Sequence, residues 1–134
     1  MRAVVLALVL AAAATALLAG CGGSSDKPKY CGDRENLQQS INALTRVDLE
    51  EGGVAALETQ LREVQGDAQA LAASAQSEFG PQATALKSSV STLATAVQRA
   101  ISDPSAEGFA AVAGDLSRAK TAFDELSGAV GSKC

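Results

Sequence analysis

Residues 77–82, Ser77-Glu78-Phe79-Gly80-Pro81-Gln82, decide how this chain is divided. Glycine accepts the backbone conformations that follow a helix end, and proline, which lacks an N–H, fits a helix's first turn far better than its interior. Gly80 is therefore expected to stop one helix and Pro81 to open the next. Upstream, Val54, Leu57, Leu61, Val64, Ala68, Leu71 and Ala75 recur in a strict three-four alternation. Downstream, Ala83, Leu86, Val90, Leu93, Val97 and Ala100 do the same. Each set forms one narrow apolar seam, the pattern of helices packed side by side as in a coiled coil.

Farther out, Asp103-Pro104 repeats the cap-then-proline signal ahead of a seam made of Phe109, Val112, Leu116, Ala119, Phe123, Leu126 and Val130. On the other side, Leu37, Ile41 and Leu44 mark a short first helix that Asp33 could cap, and Asp48 with Glu51 resembles an acidic capping box. Strand-like alternation is absent from the whole region. The expected fold is all-α, an antiparallel up-down-up-down four-helix bundle of two hairpins, with helices over 34–47, 49–79, 81–102 and 104–130. Residues 48–71 also align without gaps to 103–126 with six identities. A duplicated hairpin and shared heptad constraints both account for that match.

The N-terminal region has a different character. After Met1-Arg2 the chain is uncharged from Ala3 to Gly20, a run that reads either as a cleaved secretory signal or as a retained membrane anchor. Its alanine richness and its ending favour the signal. Leu18-Ala19-Gly20-Cys21 resembles the lipobox of bacterial lipoprotein precursors at all four positions. With the Gly/Ser stretch that follows and the alanine-rich helices, the chain looks like a small actinobacterial lipoprotein. That resemblance implies cleavage of residues 1–20, a diacylglyceryl group on the Cys21 thiol and an N-acyl chain, palmitate or similar, on the new terminus. Two or three acyl chains anchor stably where one does not. It places the protein at the outer face of the cell membrane, or at the outer membrane in a Gram-negative host, where Gly22 in place of an aspartate would permit export.

Once Cys21 is given to lipid, Cys31 and Cys134 remain as a pair in a compartment where disulfides persist. They are expected to be bonded, with free or intermolecular thiols as the alternative. An even number of antiparallel helices brings both ends of the domain to one pole, so the helix count and the pairing support each other. Residues 21–32, rich in glycine and serine and carrying Pro28, read as a lipidated flexible tether, which would hold the domain roughly 15–20 Å from the bilayer.

Without Arg2 the chain carries 10 basic and 15 acidic residues, a formal charge of −5, which gives no electrostatic reason to bind nucleic acid or anionic lipid headgroups. The sequence contains no histidine, so the usual general base and the commonest metal ligand are missing. No catalytic residue, metal site or cofactor other than the covalent lipid is expected. Two functional readings stay open. One is a non-catalytic helical interaction module facing an envelope protein or wall polymer. The other is a carrier or sensor of a small hydrophobic ligand. For the carrier, helix one at about 21 Å should run out before its neighbours near the cysteine pole, opening a pocket among Tyr30, Leu71, Phe79, Leu86, Phe123 and Leu126, with Tyr30 as lid. Alternatively Tyr30 and the C-terminal tail fill that space.

Overall fold

A computed structural model describes residues 27–47 and 53–134; the signal segment and Cys21 lie outside the described residues. The described chain is all-α, with three helices: α1 Lys29–Leu44, α2 Gly53–Ser102 and α3 Ala106–Gly131. One long α2 stands where two helices were expected. It is not continuous in conformation: Phe79, at φ −129° and ψ 41°, leaves the helical region and marks a kink. The cause is local. Pro81 offers no N–H to the carbonyl one turn earlier and its ring crowds that carbonyl.

The kink folds α2 back on itself. In a straight helix Ala68 and Val90 would be about 33 Å apart. Instead Gln65, Ala68 and Gln69 share the walls of one small cavity with Lys87, Val90 and Ser91. The seams on either side of Phe79 thus face each other, and Leu61, Val64, Leu71, Leu86, Leu93 and Val97 are all buried in a single core. Leu37 and Ile41 of α1 and Phe123, Leu126 and Val130 of α3 complete it.

Both outer helices depart from the expected limits. The first begins at Lys29 after Pro28, five residues ahead of the expected start, and Asp33 lies inside it rather than capping it. Burial explains the early start, because Tyr30 and Cys31 are only 3% and 7% exposed and gain their apolar contacts only if the first turn is helical. Residues 29–32, which the sequence reading gave to the tether, are accordingly helical. The last helix opens at Ala106 with Ser105 as its cap, its hydroxyl accepting the Gly108 amide at 3.0 Å, so the start lies two residues beyond Pro104. Serine's side-chain oxygen reaches the orphan amide of the first turn, and this decides the boundary.

Three observations place one pole. Cys31 and Cys134 are disulfide-bonded with Cα atoms 5.7 Å apart. The Tyr30 and Phe79 rings meet edge to face, centroids 5.6 Å apart. The Arg34 guanidinium lies close against Gly131. The start of α1, the kink of α2 and the end of α3 therefore meet. Because α1 starts early and ends at Leu44, it is flush with its neighbours here and falls short at the opposite pole, which reverses the expected position of the gap. Phe109, near the start of α3, is accordingly 44% exposed although the seam pattern assigns it to the core.

Two stability outcomes follow. Phe123→Ala should cost about 3–5 kcal/mol and Phe109→Ala well under half of that, measured by denaturant unfolding. Cys134→Ser should lower stability by up to about 4–5 kcal/mol on the chain-entropy argument for so long a loop, and reductant should bring the native protein down to the variant's midpoint while leaving the variant unmoved.

Candidate functional site

The disulfide pole gathers most of what the sequence nominates. Leu71, Leu86 and Leu126 are fully buried, Phe123 nearly so, and Phe79 packs against the same cluster. The six residues proposed to line a pocket are brought into one core, but as packing: the Tyr30 ring occupies the pole, sealed against Phe79. Cys21 lies outside the described residues, so its distance from this pole follows only from the sequence between them.

Polar groups at the pole are tied to the fold. Asp33, 8% exposed, receives Lys29 Nζ at 2.8 and 3.0 Å and the Ser74 hydroxyl at 2.7 Å. A buried carboxylate is costly unless it is paired and hydrogen-bonded, and here one donor comes from its own helix and the other from α2, stitching the two together. The signal for this contact in the sequence is the four-residue spacing of Lys29 and Asp33; Ser74 carries none, being one of many helix-surface serines. Farther up, the Ser40 hydroxyl donates to Asp67 across the α1–α2 interface, and Arg118 pairs with the buried Asp115 at 2.7 Å.

Burial raises the pKa of Tyr30 above its ordinary value near 10, and the charge of Glu78 and a hydrogen bond to it act in the same direction. The folded protein holds the neutral phenol more firmly than the unfolded chain does. Its stabilising effect is complete below pH about 10 and is lost as pH rises through the raised pKa.

Among the described residues no group of three histidine, cysteine or carboxylate side chains is placed to hold a metal. A cavity of about 580 Å³ at the far end is an open groove between Thr95, Arg99 and Ser102 of α2 and Ser105, Glu107 and Gly108 at the start of α3. No helix among the described residues is long and apolar enough to cross a membrane. Comparison with known protein families, curated proteins and solved structures finds no match for this chain.

Tyr30 is the only tyrosine and the chain has no tryptophan, so ultraviolet absorbance of the phenolate reads one group. Its titration midpoint should lie above the ordinary value and move down in Glu78→Gln. Tyr30→Phe should flatten the alkaline fall in stability; an unchanged fall would show that other groups cause it.

Proposed function

We propose that this chain is the precursor of a bacterial lipoprotein, cut before Cys21 and lipidated there, whose helical domain is a non-catalytic interaction module at the outer face of a membrane. The observation that carries the reading is the combination of Leu18-Ala19-Gly20-Cys21 with the bonded pair Cys31–Cys134. A disulfide persists in oxidising compartments, which is where the lipobox resemblance sends the protein. The pairing also leaves Cys21 as the single remaining thiol in the chain.

The interaction-module reading is supported by what the core does. Tyr30 fills the pole where a hydrophobic ligand would sit, and the buried hydrogen bonds of Asp33 and Ser40 lock helices to one another rather than face a cavity. We further infer that the arms of α2 on either side of Phe79 behave as two helices, giving the up-down-up-down four-helix arrangement. Faces of a stiff helical domain are then what it offers a partner, an envelope protein or a wall polymer.

The intact mass of protein extracted from its own membrane tests the first half. It should equal residues 21–134 plus acyl groups, rise by two hydrogens on reduction, and lose the lipid in Cys21→Ser, which should leave the membrane fraction. A mass that retains residues 1–20 without lipid would sink the lipoprotein reading. Crosslinking in intact cells tests the second half: a reproducible protein or polymer adduct supports the module, whereas recovery of a bound lipid alone supports the carrier.

A further inference from the structure

The groove between the end of α2 and the start of α3 continues inward as a second cavity of about 300 Å³, the two sharing Thr95, Arg99 and Gly108. Ala96, Gly108 and Ala111 give this inner cavity a small, apolar lining, and Thr92 and Asp115 belong to it alone. Asp115 is under-bonded. It is as buried as Asp33, each 8% exposed, but Asp33 accepts three hydrogen bonds and Asp115 one, from Arg118 to Oδ1 at 2.7 Å. A carboxylate can accept several bonds, and burying it without them is costly. Oδ2 receives no donor from any described residue.

The neighbouring hydroxyls cannot supply one. Thr92 and Thr95 donate their protons to the Ser88 and Ser91 carbonyls of their own helix, at 3.0 and 3.1 Å, and keep only oxygen lone pairs for anything in the cavity. Three acceptors therefore line one small space. Arg99, the charged donor in the lining, stands two turns beyond Thr92, about 10 Å along α2. With Arg118 included, the groove sets Asp103, Glu107 and Asp115 against Arg99 and Arg118, one more negative charge than positive.

We propose that this inner cavity is a binding site for a primary ammonium group on an unbranched alkyl stem, as a lysine side chain or a free alkylamine carries it. An ammonium brings three N–H donors and no acceptor, the complement of Asp115 Oδ2 and the two threonine oxygens. Its bond to Asp115 is charge-assisted. The stem runs along the Ala96 and Ala111 methyls, where Gly108 leaves it room. The site is read from the helical domain alone, so it depends neither on a lipid at Cys21 nor on the interaction-module reading.

The test titrates the isotope-labelled full chain, in non-ionic detergent at constant ionic strength, with Nα-acetyl-lysine amide, diaminopentane or tetramethylammonium while backbone amide signals are followed. The two primary amines should shift Ala96, Gly108, Ala111 and Asp115 saturably, and tetramethylammonium, which has no N–H, should not. Asp115→Asn should weaken binding about tenfold or more. Arg118→Gln, which removes the competing cation, should tighten it several-fold, whereas a merely structural Asp115 would lose binding in both variants. Thr95→Val keeps the test readable if Asp115→Asn fails to fold, and should weaken binding a few-fold. A lysine amide bound at least as tightly as the diamine would support a partner protein's side chain as the source; a preferred diamine, its second ammonium reaching Asp103 or Glu107, would support a free amine. No saturable shift with either amine, equal shifts with tetramethylammonium, or affinity unchanged in both Asp115→Asn and Thr95→Val would overturn the proposal.

Discussion

At Phe79 the backbone leaves the helical region, and the rest of the architecture depends on that departure. A continuous α2 would extend about 75 Å with its seam exposed along its length, and a seam of this kind is stable only when it is covered. The kink lets each arm cover the other, so Ala68, Leu71, Leu86 and Val90 become interior. It also brings Phe79 to the level of the first turn of α1, where Tyr30 can close the end of the core. One proline without an amide hydrogen thus determines both the thickness of the domain and the location of its sealed pole.

Much of this is legible in the sequence because it depends on periodicity and punctuation. The seams of α2 and α3 are continuous, and Gly80-Pro81 marks the place where α2 must bend. The cysteine pairing is legible too, since Cys31 and Cys134 flank the helical region and meet only if its ends meet. What the sequence conceals depends on competition between local and distant contacts. Asp33 has the profile of a helix cap, but the burial of Tyr30 and Cys31 draws the helix past it, and Ser74 then converts it into an interhelical contact. The same shift ends α1 at Leu44, away from the disulfide pole, and Phe109 at the start of α3, regular in the seam, is 44% exposed.

The candidate site follows a similar division. Its members can be named from sequence, but whether they surround a space or fill it depends on the direction in which one aromatic side chain points. Tyr30 sits at the N-terminal end of α1, and side chains on a helix lean toward its N-terminus. The ring therefore covers the end of the core instead of hanging over solvent as a lid.

The bond between Cys31 and Cys134 also gives the domain a mechanical character. Tension applied from the N-terminal side reaches Cys31 within the first turn of α1 and passes across the sulfurs directly to the end of α3. The first helix is thereby bypassed and cannot be peeled from its neighbours. For a partner gripping the α3 surface, the load path is one covalent joint followed by the long axis of a single helix, loaded in tension along its hydrogen bonds. The helical domain would carry such a load as a stiff strut.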